Sequence, residues 1–199
     1  FGRITHFDML ISVHPTYFEK FNDLQSILMH NQNNNSVKIR LPMTYRYFIA
    51  IMAASRYDCQ SIIIQLKHKF MQYGGNKDWL DKGLLCKDHK IRKLKKLANL
   101  NAYLAHKPWF ITQKIIDDIL SGDYSWQIDE LIPAILILIT YHEICSIYLG
   151  CCLTPEIDYC LQESLFNKNI DSINDIKNEI TSLYSLSSQT NSDDNNGNE

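Results

Sequence analysis

LPMTYRYFIAIMAASRYDCQSIIIQLKHKFMQYGG, residues Leu41 to Gly75, decides the fold. Pro42 suits the first turn of a helix, where its missing N–H would be unpaired anyway, and Tyr45, Phe48, Ile49, Met52 and Ala53 then recur at helical spacing to about Arg56. A second helix starts with Asp58 placed to accept from its orphan N–H groups. Ile62, Ile63, Leu66 and Phe70 form its apolar stripe, which ends before Gly74-Gly75, a pair suited to a turn with positive φ. Two packed helices are expected, with Cys59 at the start of the second. A helix N-terminus favours thiolate over thiol, whereas the neighbouring Asp58 carboxylate disfavours it, so Cys59 reads either as a nucleophile or as a small buried apolar residue.

Outward from this stretch the pattern stays helical. Pro15 opens a helix on which Phe18, Phe21, Leu24, Gln25 and Leu28 share a face, within a first helical unit reaching about His30. Asn31 to Ser36 is a polar loop. Trp79 and Leu80 begin a short connecting segment, and one helix is expected from about Asp88 to His106, before Pro108. Its buried side is Leu94, Leu97, Leu100 or Asn101, and Leu104. Lys90, Arg92, Lys93, Lys95 and Lys96 make a basic, solvated outer face. Thr112 caps the next helix, with Ile115, Ile116, Ile119 and Leu120 buried and Gly122 ending it; Ser125 caps the one after, where Pro133 should kink or restart the chain. Ile135, Leu136, Leu138 and Ile139 read as the centre of the core. Leu165 to Leu186 is expected as a weaker helix, and the polar stretch beyond Ser185 as disordered. No alternation of apolar and polar residues persists long enough to demand a strand, so the fold class is all-α.

At 199 residues, 45% apolar and 21% charged, the chain can bury one sizeable core. A net charge of −2, with basic and acidic residues interspersed, gives no general attraction to nucleic acid. The apolar run Leu131 to Ile139 is too short to span a bilayer, and no membrane insertion is expected. Six cysteines (59, 86, 145, 151, 152 and 160) have no regular spacing and no C-x-x-C pair, which fits a reducing compartment rather than a disulfide framework. Cys145, Cys151 and Cys152 with His142 match no usual zinc spacing, and His142-Glu143 lacks the second histidine of a zinc-protease motif because Ser146 stands there. No metal or cofactor is expected.

The blocks LPMTYRYFIAIMAASRYDC, FMQYGGNKDWL, AHKPWFIT, YSWQIDEL and LGCCLTPEI, with FGRIT at the start, resemble the N-terminal domain of the sestrins, which has the AhpD-like alkylhydroperoxidase fold. The resemblance runs to about Cys160. It implies an AhpD-like helical domain over residues 1–160, then a weak helix and disordered linker over 161–199 leading to a second sestrin domain. The chain begins with Phe1 inside a matching block, so a fragment of a longer protein is expected. The family's role implies a stress-response regulator in the cytoplasm and nucleus that restrains the target-of-rapamycin kinase through a GATOR-type complex.

The same resemblance bears on catalysis at Cys59. In the sestrin pattern a tyrosine two positions on and a histidine seven positions on form a proton relay for peroxide reduction. Here those positions are Ser61 and Leu66, and Ile62 stands where bacterial relatives carry a second cysteine. At about 100° per residue, Leu66 faces the same way as Cys59, and His68 points to the opposite side. Leucine can shield a sulfur but cannot exchange a proton. His106 or His142 can reach Cys59 only by folding in from another helix. Two functions follow: a non-catalytic regulator acting through protein contacts, or a Cys59-dependent alkylhydroperoxide reductase that relies on a proton donor from elsewhere.

Overall fold

The computed structural model describes residues 4–30 and 39–156, all within one unit spanning Phe1–Glu156. Those residues form α1 (His6–Ile11), α2 (Pro15–Met29), α3 (Met43–Ser55), α4 (Gln60–Gln72), α5 (Lys77–Lys82), α6 (His89–Lys95), α7 (Ala98–His106), α8 (Gln113–Leu120) and α9 (Ile128–Gly150), with short 3-10 turns after α5 and α7. No strand occurs among the described residues, and the all-α class holds. The expectations for the loop at Asn31 to Ser36, the helix Leu165 to Leu186 and the tail lie outside them.

The sequence places apolar residues on every side of α3, and every residue from Arg46 to Ala54 is buried. A helix apolar all round belongs at the centre. α3 packs against α4 and α9 most extensively, and also against α2 and α7. Phe48 of α3, Phe70 of α4 and Trp79 of α5 meet with ring centroids 5.4 to 6.0 Å apart. Trp79 keeps its polar edge satisfied by donating Nε1–H to Asp88 at 2.9 Å, while Asp88 also caps α6 through the Lys90 N–H. Gly74 turns the chain at φ +75°, and Gly75 has to be glycine for a different reason: a Cβ there would sit 2.3 Å from the Phe70 ring.

Arg46 is the one charged side chain in this run, and it is 3% exposed. Its Nε donates to Leu41 O at 2.8 Å, Nη1 to Leu28 O at 3.0 Å and Nη2 to Ile39 O at 3.1 Å. Leu28 lies in the last turn of α2, where carbonyls have no partner within the helix. One guanidinium therefore satisfies the end of α2 and the segment entering α3. Burial pulls its pKa below the ordinary arginine value.

Several local expectations are corrected. Asp58 does not cap α4: it occupies the left-handed region at φ +49°, its carboxylate accepts from the Gln60 side chain, and Cys59 is the residue at the N-cap. Aspartate tolerates that conformation better than most residues, so it serves as the hinge of the turn. The helix expected over Asp88 to His106 is two, α6 and α7, broken at Lys96-Leu97, where the N–H groups reach back three residues instead of four. The break keeps Leu94, Leu97 and Leu100 all in the core. Thr112 stands at the N-cap of α8 without a side-chain cap bond. α9 is capped by Gln127 and Glu130 in a reciprocal box rather than by Ser125.

α9 continues through Pro133. The bond that proline removes belongs to the Asp129 carbonyl in the exposed first turn, where water can replace it. At 23 residues α9 is longer than its apolar run suggested. By length and composition alone it could cross a membrane, yet half of that window is buried inside the fold. Its outer side keeps Ile128, Ile132, Leu136 and Ile139 exposed, which corrects the expectation for Leu136 and Ile139: of the four residues read as the centre of the core, Leu138 is buried and Ile135 half-buried.

The basic residues of α6 are not simply a solvated face. Lys93 pairs with Glu130 and lies over the Trp126 ring, whose Nε1–H donates to Lys93 O at 2.8 Å. Lys96 donates to Asp118 O and Ser121 O, and Arg92 to the Tyr124 hydroxyl. These contacts hold α6 to the segment joining α8 and α9, leaving Lys90 and Lys95 exposed. At the other end, Glu156, 2% exposed, accepts from the His6 N–H at 2.6 Å and joins α1 to the segment after α9.

Arg46→Met should lower the unfolding free energy in urea by on the order of 3–5 kcal/mol, because three buried carbonyls lose their donor; Arg46→Lys should recover part of it. Gly75→Ala should cost about 1–3 kcal/mol, and a smaller residue than Phe70 at that position should suppress the added penalty.

Candidate functional site

Cys59 sits at the N-cap of α4 and is 1% exposed. Three groups act on its sulfur. Cys145 of α9 and the Ile62 N–H in the first turn of α4 both ease its ionisation. Burial and the Asp58 carboxylate oppose it. Within this pair the first proton is lost more readily than from an ordinary thiol. The second is held far more tightly, because Cys145 is itself buried at 0% exposure and would have to ionise beside a thiolate. The neighbour that most eases ionisation of Cys59 is therefore a second buried thiol, Cys145, and not an imidazole.

Ser61 and Leu66, at the relay positions, are buried at 9% and 4% exposure. The two histidines that could have folded in both pack against Tyr57, with ring centroids 5.5 Å (His106) and 5.6 Å (His142) from it. The Tyr57 hydroxyl is engaged with Ala105 O at 2.9 Å. Neither a histidine nor a tyrosine is among the groups that shift the Cys59 sulfur.

His142 belongs to a polar line through the core. Asn101 of α7 donates Nδ2–H to Met52 O of α3 at 2.9 Å, which leaves its Oδ1 to accept from His142 Nε2 at 2.8 Å. That bond places the proton on Nε2. Nδ1 is then a lone pair buried with no hydrogen-bond partner among the described residues. Burial first, then the His106 and Arg56 charges, hold His142 at about 4, well below its ordinary 6.5. The neighbouring Glu143 points outward and accepts from the Tyr17 hydroxyl. No group of three or more His, Cys, Asp or Glu side chains among the described residues is placed to hold a metal ion.

Reasoning from spacing missed the Cys59–Cys145 contact and the Asn101–His142 line, since both join residues far apart in the chain. A polar Asn101 beside Leu100 on a buried face was the one local sign. A more open cavity of about 490 Å³ lies near the α3–α4 turn, lined by Arg56, Asp58, Gln60, Lys67 and Asn101 among others.

Because native His142 resists protonation, the unfolded chain binds its proton first as pH falls. Stability is complete above about 6.5 and declines towards about 4. Thermal unfolding across this window should show a loss on the order of 1–3 kcal/mol that is smaller in His142→Gln.

The whole chain, residues 1–199, matches the family described as PA26 p53-induced protein (sestrin). It is 35% identical over 158 residues to Sestrin-2 of Bos taurus, covering 79% of this chain and 31% of that protein. It is 36% identical over 157 residues to Sestrin-1 of Xenopus laevis, covering 78% and 31%. With the sestrin homolog of Dictyostelium discoideum it shares 32% identity over 155 residues, covering 78% and 24%. The chain thus spans about a third or less of the length of these relatives, and it belongs to the sestrin family.

Proposed function

We propose that this chain is the N-terminal domain of a stress-response regulator that acts through protein contacts. In the full-length protein, together with a second sestrin domain, it restrains target-of-rapamycin signalling through a GATOR-type complex under amino-acid or oxidative stress, in the cytoplasm and nucleus. The observation that carries the non-catalytic part of this reading is Leu66. Where the sestrin pattern has a relay histidine, this chain has a buried hydrocarbon side chain, and Ser61 replaces the relay tyrosine. A thiolate attacking a peroxide needs a proton for the departing alkoxide, and neither residue supplies one efficiently.

The second reading is a Cys59-dependent alkylhydroperoxide reductase. It is favoured by the eased ionisation of Cys59 at a helix N-terminus.

The test has two arms. Tagged full-length protein from amino-acid-starved cells should co-purify GATOR-type components, and Cys59→Ser should retain them; absence of those components would count against the regulatory reading. Turnover of an alkyl hydroperoxide with a thiol reductant should be near background and equal in wild type and Cys59→Ser, whereas rapid turnover abolished by that substitution would establish the reductase instead. Installing the relay as Ser61→Tyr/Leu66→His should raise turnover by about 10²-fold or more.

A further inference from the structure

The cavity of about 490 Å³ beside the α3–α4 turn is separate from Cys59, which does not line it. Its volume falls in the range of small-molecule sites. Two helix faces form its long walls: α3 contributes Phe48, Ile51, Met52 and Ser55, spaced as one helical face, and α4 contributes Gln60, Ile63 and Lys67. The turn at Asp58 sends α4 back along α3, and Phe48 accordingly meets Phe70 towards the far end of the pair. Ser55, Arg56 and Gln60 therefore share one end of the cavity, and Lys67 lies towards the other. Ile51, Met52 and Ile63 fall between them, level with Asn101, which is fixed there by its bond to Met52 O. At 1.5 Å per residue, Gln60 and Lys67 are about 10 Å apart along the helix axis.

The charges on this lining are unbalanced. Neither Arg56 nor Lys67 forms an ion pair with another described residue, and Lys67 is half-buried against the apolar wall. Asp58 is the one carboxylate among the described residues that line the cavity, and it already accepts from the Gln60 side chain. We propose that this cavity binds a medium-chain dicarboxylate such as suberate, with one carboxylate at Arg56, the other at Lys67 and the hydrocarbon chain along Ile51, Met52 and Ile63. A guanidinium can hold a carboxylate through two parallel N–H bonds, and an ammonium holds one as a point charge. The methylenes between the two heads leave water for an apolar wall, which adds affinity in proportion to the area covered. A compound with one carboxylate fills the same space but leaves one cation without its partner, and an alcohol leaves both.

The site does not depend on the partner-binding reading, and its test reads ligand affinity rather than capture. Full-length protein is titrated by calorimetry with suberate, octanoate and octan-1-ol, which share a chain length and carry two, one and no carboxylates. Suberate should bind most tightly, octanoate roughly tenfold more weakly, and octan-1-ol without measurable heat. Arg56→Gln and Lys67→Gln should each weaken suberate about tenfold, to the level of octanoate. In the wild-type protein suberate should also shift the methyl resonances of Ile51 and Ile63, a readout that needs no variant to fold. Three results would overturn the proposal: no suberate binding by heat or by methyl shift at millimolar concentration, equal affinity for suberate and either of the other compounds, or suberate binding that leaves both methyls and both variants unaffected. Loss of GATOR-type capture with suberate binding intact would overturn only the regulatory role.

Discussion

A single buried cation determines how the first helices meet the centre of this domain. Arg46 lies within α3 and directs its donors to carbonyls of the α2 end and of the segment leading into α3. With no carboxylate partner among the described residues, a buried charge is tolerable where several oriented dipoles replace its hydration. Those dipoles come from two separate segments, so they must be in place together, which couples the seating of α2 to that of α3. The Phe48–Phe70–Trp79 cluster does the corresponding work on the other side, where Gly75 lets the backbone pass beneath a ring that any side chain would displace.

Around α3 the polar residues of the interior are used in pairs. Asn101 joins α3 to α7 and α9 by accepting from His142 while donating to Met52. The relay positions of the family pattern have lost their proton chemistry, and hydrocarbon fills one of them. Among the neighbours that ease ionisation at Cys59, Cys145 contributes most.

Much of the helical plan was legible. Pro15 opening α2, the apolar stripe of α4, and the positive φ at Gly74 follow from local chemistry, because periodicity and backbone freedom act over a few residues. Caps were harder. Asp58 and Ser125 were both plausible, yet Asp58 was needed as a left-handed hinge and Gln127 formed the box with Glu130. The break between α6 and α7 also escaped the pattern: leucines at every third residue fit one continuous helix as well as two, and only the surrounding core requires the offset. Lys93, Lys96 and Arg92 read as solvated because nothing local says that Trp126, Ser121 and Tyr124 will arrive beside them.

The sequence by itself determined an all-α domain, the pair of helices either side of Cys59, the sestrin resemblance and the absence of the tyrosine and histidine expected two and seven positions after Cys59. Those properties reside in residue identity and short-range spacing. Tertiary structure alone decided that Arg46 would be satisfied by carbonyls, that both histidines would pack against Tyr57, and that Asn101 would bond His142. Each of those outcomes depends on which helix faces are brought together across tens of residues, and no local period encodes that.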